Sequence, residues 1–340
     1  MNIDKTNRSS KPMKDYNKSS SVQLKLIQNG FDNLKILTEN IKLSGNKLTI
    51  GDLGCSHGKN SMTAINQLLE LIENSSNISN KLKNLYIYHE DLDSNDFNQV
   101  HKCLDDKSIS YLNNRYIINN SIVTDVQFLP KSFYEPLFDY NSIDIIMCYS
   151  SIHWLPKYKS LTSGIVFQEI VETPENVKWF KNLGKDCLTN WLSLRYKELS
   201  PNGLITLNIM ESNGIDERIN PAWDEYIATK GFTHADLNKV NSTSILRSTT
   251  EIDEALFEFN GKFKILRKYL SKEIYTFDRN HLNAVLSQQI IKGLESYTNL
   301  FPTTESRSEF FENYMEFLYS VKNCPSEMEI GFVYLVLQKI

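Results

Sequence analysis

The clearest chemical signal in the chain is one run of residues, Gly51-Asp52-Leu53-Gly54-Cys55-Ser56-His57-Gly58-Lys59-Asn60. It follows the apolar, β-branched stretch KLTI and precedes an amphipathic one, so it reads as a turn from a strand into a helix. Glycines suit such a turn: the backbone must reverse sharply and let a ligand approach with no Cβ in the way, while the helix start offers free N–H groups. A dinucleotide site would read Gly-x-Gly-x-x-Gly, whereas this run reads Asp-x-Gly-x-x-x-Gly with an acid at the strand end. An acid in that place disfavours pyrophosphate and favours a ligand that carries positive groups.

S-Adenosylmethionine is such a ligand, because its α-ammonium and its sulfonium are both cationic. Asp91, in LYIYHEDLDSNDFN, falls at the end of the next strand candidate, where an acid accepts hydrogen bonds from the two ribose hydroxyls of an adenosine cofactor. It lies further from the glycine turn than the usual span of about 20 residues. The polar loop NSSNISNKLKN at 74–84 absorbs the excess.

The elements that must hold these groups follow from periodicity. Leu24, Ile27, Phe31, Leu34 and Ile41 recur at helical spacing, which predicts one amphipathic helix over Val22 to Leu43. KLTIGDLG is the first strand, a helix runs from Ser61 to Glu73, and further strands are expected at LYIYHEDL, RYIINNSIV, SIDIIMCYS and GLITLNIM. Strands alternating with helices imply a mainly parallel sheet and an α/β fold. From about Ser212 to Cys324 the pattern turns helical with scattered aromatics, which predicts a helical cap. A pair of strands, KFKILRKYL and EIYTF, is expected within it between Gly261 and Phe277, and GFVYLVLQKI closes the chain as a core strand.

Composition narrows the function. A hydrophobic share of 41% in 340 residues supports a packed core, and a formal net charge of −4 argues against a polyphosphate partner such as nucleic acid. No stretch approaches the roughly 20 apolar residues needed to cross a bilayer, so the expectation is a soluble, cytoplasmic protein with no membrane partner. Cys55, Cys103, Cys148, Cys187 and Cys324 form no paired spacing, nor do His89, His101, His234 and His281, so no metal site is expected. Residues 1–20 would, on composition alone, be a disordered tail.

The run Asp52 through Asn60 resembles the first motif of the SABATH family of plant-type carboxyl methyltransferases, which act on salicylic and benzoic acid and are related to caffeine-pathway N-methyltransferases. The resemblance extends over most of residues 13–211. It continues through Asp91-Leu92 with Asn95-Asp96-Phe97-Asn98, Ser132-Phe133-Tyr134 with Leu137-Phe138, and Ser151-Ile152-His153-Trp154-Leu155. Phe180, Asp186, Arg195 and Glu198-Leu199 then lead to a turn at Pro201-Asn202-Gly203.

The resemblance implies a class I methyltransferase, with a Rossmann-like, mostly parallel sheet and a helical cap. Its domain plan is a lid at 1–21, a cofactor-binding core at 22–211, a cap with inserted core strands at 212–325 and a final core strand at 326–340. It implies cofactor contacts from Tyr16, Ser20, Asp52, Gly54, Asn60, Asp91, Leu92, Ser132 and Phe133, a small carboxylic acid as substrate, and a homodimer. Gln23 and Trp154 match the pair that grips the substrate carboxylate. His153, Ser150 and Trp223 are further expected pocket residues, with His153 as a wall or donor in preference to a base. The matching of NSTSILRSTTEI to the family's substrate region lacks that region's Pro and Tyr residues.

A carboxylic acid is already ionised at neutral pH, so methylating its oxygen needs positioning more than proton transfer. Two other activities fit the same motifs: an N- or phenolic O-methyltransferase, and a cofactor-binding protein that no longer turns over.

Overall fold

The computed structural model describes residues 16–214 and 216–340. Seven strands form one sheet: β1 (Lys47–Leu53), β2 (Asn84–Asp91), β3 (Val123–Pro130), β4 (Ile143–Cys148), β5 (Leu199–Asn213), β6 (Phe263–Thr276) and β7 (Glu327–Lys339). Their order is β3-β2-β1-β4-β5-β7-β6. Pairings from β3 to β5 are parallel, and β7 alone runs against its neighbours. The central strand β4, IDIIMC, is buried at every position, as expected of a parallel strand covered on both faces. The sheet order reverses between β1 and β4, and the crevice beyond their carboxyl ends is where such a sheet binds ligands.

One face of the sheet carries α3 (Phe31–Asn40), α4 (Lys59–Glu73), α6 (Phe97–Asp105) and α7 (Arg115–Asn119), packed around Leu48, Ile50, Leu68 and Ile87. The other carries α8 (Pro174–Glu198) and α10 (Thr249–Phe257), packed around Ile146, Trp191 and Ile205. Thr173 caps α8 by accepting from Asn176 N, and Pro174 fills its first turn. The cap is built from α9 (Asp216–Thr229), α11 (Arg279–Leu294) and α12 (Thr304–Glu316), whose core joins Trp223, Phe310 and Tyr314 to Phe332 and Tyr334 of β7. The short helices α1 (Tyr16–Ser19), α2 (Ser21–Asn29) and α5 (Ser76–Ser79) complete the set. No described helix is long and apolar enough to cross a membrane.

Five sequence expectations change. RYIINNSIV is not a strand: Asn114 caps α7 by accepting from Tyr116 N, and the strand that follows, β3, is the more polar VTDVQFLP. The expected helix over Val22 to Leu43 is two helices, divided at Gly30, where a Cβ would lie 3.2 Å from the Tyr334 ring. KFKILRKYL and EIYTF are one continuous strand, β6, paired along its length with β7. The loop at 74–84 holds α5, and β5 reaches Asn213, past the expected start of the cap.

Candidate active site

The glycine turn joins β1 to α4 in the crevice at the switch point. Gly54 and Gly58 take φ of 77° and 86°, in the left-handed region that favours glycine, and Ser56 between them takes 49°. A Cβ on Gly54 would sit 2.2 Å from Ser151 Oγ and 3.8 Å from the Phe133 ring, so three loops meet at this atom. The buried Glu90 bolts β2 to the turn. Its backbone carbonyl accepts from Gly54 N and Cys55 N, both at 2.9 Å, and its carboxylate accepts from Gly54 N at 3.0 Å. Burial, then neighbouring Asp91, push the Glu90 carboxyl well above its usual range.

Asp52 and Asp91 end β1 and β2 as expected. Asp52 Oδ2 lies 2.9 Å from His89 Nδ1, and His89 Nε2 lies 2.9 Å from the Tyr111 hydroxyl. Asp52, Cys55 and His89 bring three ligand-type atoms within 4.8 Å of one another. Both His89 nitrogens are engaged by Asp52 and Tyr111, and burial followed by the nearby acids pushes the Cys55 thiol well up, so the cluster is built as a hydrogen-bond chain. Asp91 accepts from Ser56 N at 2.7 Å and Leu92 N at 2.8 Å, while burial lifts it to about 6. Asn95, from the same loop, donates to Ser56 O at 2.7 Å.

The stretch from α1 into α2 lies against this turn. Ser20 Oγ and Asn60 Oδ1 are 3.4 Å apart, Asn60 donates to Ser20 O at 3.3 Å, and Asn17 donates to His57 O at 3.0 Å. Tyr16 opens α1, and its side chain lies outside the described residues. On the far side, Ser132 and Phe133 follow β3. The fully buried Arg195 of α8 donates to Phe133 O and Glu135 O, both at 3.1 Å, and pairs with Glu198, whose carboxylate accepts from Leu137 N. That ion pair fixes the whole loop from 133 to 138 against the sheet.

The donor set suits S-adenosylmethionine. Two acids end adjacent strands, the turn between them is free of Cβ atoms at Gly54 and Gly58, and Phe133 offers a ring beside the turn. Asp91 is ionised at neutral pH and retains lone pairs for ribose hydroxyls beyond its two backbone bonds.

Beside this crevice lies a cavity of about 730 Å³, mouth included, walled by α2, α11, β5, β7 and the loop after β4. Gln23, Trp154, His153 and Ser150, four of the residues expected at a substrate pocket, line it together. No Lys, Arg, Asp or Glu is among its described lining residues, and Met210, Phe277, Leu286 and Phe332 form much of its wall. Ser150 takes φ of 49° just past β4, where its N–H donates to Asn208 Oδ1 at 2.6 Å. Arg247 donates to Ile152 O, and Ile245 N to His153 O, so the segment from 151 to 155 is stitched to the stretch that leads into α10.

Two buried polar atoms of the cavity's lining, Gln23 Oε1 and His153 Nδ1, have no protein partner among the described residues. Burial, then the Arg247 charge, hold His153 down at about 3, so it is neutral at working pH.

Trp223 does not join the site. It is fully buried in the cap core, edge-on to Phe310 and Tyr314 with centroids 6.1 and 5.2 Å away. Conversely, His281 of α11 lines the cavity although neither its spacing nor its neighbours in sequence marked it.

A profile of the family described as SAM dependent carboxyl methyltransferase matches residues 8–285. Salicylate/benzoate carboxyl methyltransferase of Arabidopsis thaliana is 26% identical over 174 residues, covering 50% of this chain and 45% of that protein. A probable jasmonic acid carboxyl methyltransferase of Theobroma cacao is 25% identical over 221 residues, covering 59% and 57%. Against these two, the chain spans about half of the relative's length. The 3,7-dimethylxanthine N-methyltransferase of Camellia sinensis var. assamica is 25% identical over 295 residues, covering 80% and 76%. Among solved structures, loganic acid methyltransferase with SAH superposes with a TM-score of 0.71 at 20% identity, over 96% of this chain and 98% of that one, so the two share a fold.

Proposed function

Since the chain belongs to the family of SAM-dependent carboxyl methyltransferases, and is an S-adenosylmethionine-dependent methyltransferase, we propose that it methylates the carboxylate of a small organic acid. The products are a methyl ester and S-adenosylhomocysteine. One observation carries the reading: Gln23 and Trp154 line the same cavity, free of charged side chains among its described lining residues, as Ser150, whose neighbour Ser151 sits against Gly54.

S-Adenosylmethionine supplies the methyl group, made electrophilic by its sulfonium. The chain's own work is to hold and bare the nucleophile. The Gln23 amide N–H and the Trp154 indole N–H are neutral donors that orient a carboxylate without neutralising it. The surrounding apolar wall strips water from the free oxygen, and fixed orientation is worth roughly 7–11 kcal/mol of barrier at best. Ser20, Asn60, Asp52, Asp91, Leu92, Ser132 and Phe133, around Gly54, are the proposed cofactor contacts.

His153 supports the same choice of nucleophile. Held at about 3, it is too weak a base to deprotonate a phenol, and a carboxylate needs no such help. A second reading, transfer to a ring nitrogen of a neutral heterocycle, is favoured by the lack of charge among the described lining residues.

The deciding experiment gives purified protein methyl-labelled cofactor and a panel of aromatic, fatty and terpenoid acids together with neutral nitrogen heterocycles. Label released by mild base is expected and identifies an ester. Base-stable label transferred to a heterocycle would replace this reading with the second one.

A further inference from the structure

Building on the carboxylate reading above, we propose that the acid taken by this cavity carries, on an otherwise neutral and apolar body, one hydrogen-bond donor, a hydroxyl or an N–H, and that His281 accepts it.

His281 sits near the start of α11 with only 3% of its surface exposed. Its Nδ1 lies 3.0 Å from the Ser19 carbonyl of α1. A carbonyl only accepts, so Nδ1 carries the proton. Burial pushes the ring below the usual histidine range, so it is neutral, and Nε2 therefore carries a lone pair. The ring is held in place by an edge contact with Phe277 at 4.7 Å, and the Asp278 cap accepts from His281 N at 2.8 Å.

No described residue bonds to Nε2, yet the side chain lines the cavity. The tautomer is thus fixed from the α1 side, and the acceptor is left for whatever fills the cavity. The other groups there have different tasks or tastes. Gln23 and Trp154 offer donors to the carboxylate, and the serine hydroxyls of Ser242 and Ser244 give and take alike. His281 is the ring acceptor whose polarity is set in advance by a partner outside the cavity. An acid with no donor would bury that lone pair unsatisfied, which is disfavoured by a factor of about ten or more. A second carboxylate or an ammonium would meet no counter-charge among the described lining residues, so dicarboxylic acids and amino acids are refused.

The test measures dissociation constants by calorimetry on the full chain saturated with S-adenosylhomocysteine. The probes are 3-phenylpropanoic acid with its three ring-hydroxylated isomers, and decanoic acid with its monohydroxy isomers. At least one hydroxylated acid is expected to bind about tenfold or more tighter than its parent. His281→Asn keeps an amide donor near Ser19 O but does not extend to where Nε2 stands, so it should bring that ratio close to one. His281→Gln, whose amide reaches further, should restore part of it, which a merely structural histidine would not allow.

The proposal is overturned if every hydroxylated acid binds no better than its parent, if the preference survives in His281→Asn, or if no acid of the panel binds. Failure of the carboxylate reading looks different: a hydroxyl preference in binding with no base-labile label in the transfer assay. Esterification without any hydroxyl preference would retain that reading and remove this one.

Discussion

The two halves of the site differ in how much they have already settled. At the proposed cofactor end the polar side chains hold one another: Ser20 meets Asn60, Asp52 meets His89, and Asp91 takes two backbone N–H groups. In the neighbouring cavity the polar atoms are left over, with Gln23 Oε1 and His153 Nδ1 buried and unpaired among the described residues. A preformed end binds its ligand with little reorganisation, and an unsatisfied one gains most from a ligand that completes it. Damage at the first end should therefore act through structure and cofactor affinity. Damage at the second should act through the acceptor substrate alone.

The largest effect is expected from Gly54→Ala. The new methyl group would need a φ of 77° and would lie 2.2 Å from Ser151 Oγ, so the turn cannot keep its shape. Cofactor affinity should fall by about a hundredfold or more, with a melting temperature several degrees lower, both readable by calorimetry and thermal melts. An alanine variant that binds cofactor normally would show that this end is not preformed.

Asp91→Asn comes next. Loss of the charge should weaken cofactor binding about tenfold to a hundredfold while the fold survives. The pH dependence has two opposite signs. With its folded-state pKa raised to about 6, Asp91 costs stability when ionised, so its contribution to folding improves as pH falls from about 6 toward the ordinary carboxylate range. Its proposed grip on ribose hydroxyls is strongest in the ionised form, so cofactor affinity should fall through the same window. The asparagine variant should flatten both curves, and an affinity that does not change between pH 5 and 7 in the native protein would remove Asp91 from the cofactor contacts.

The same contrast marks what could be read from the sequence. Residues close together in the chain were legible: the turn from Asp52 to Asn60 is local, and the buried runs of β1 and β4 announce themselves through apolar continuity. Edges were not. β3 is an edge strand with alternating exposed positions, so its polar sequence lost to the more apolar RYIINNSIV, which a side-chain cap turns into α7. β6, the other edge, reads as two strands because its middle is charged, though its pairing with β7 never breaks for long. Contacts between distant segments were the hardest. Trp223 looked like a pocket aromatic until Phe310 and Tyr314 enclosed it, and His281 gained its place only from a bond to Ser19 at the opposite end of the chain.

In the cavity, Trp154→Phe removes the indole N–H and keeps most of the ring. With an acid substrate, kcat/KM should drop about tenfold while the dissociation constant for cofactor stays within twofold of the native value. Gln23→Met should behave alike. A fall in cofactor affinity as large as the fall in kcat/KM would erase the division between the two ends.

The smallest effect belongs to His153, and it separates a wall from a base. Because the ring is held near 3, it stays neutral across the working range and has no proton to exchange there. His153→Asn, which retains polarity and some volume, should lower kcat less than about tenfold, and the pH profile of kcat should keep its native shape. The measurement must be made with cofactor and acid both saturating, so that titration of Asp91 near 6 does not enter through binding. A rising limb between pH 5 and 8 that vanishes in the variant would make His153 a proton acceptor. Since an ionised carboxylate has no proton to give up, that outcome would point to a phenol or a heterocycle N–H as the group being methylated.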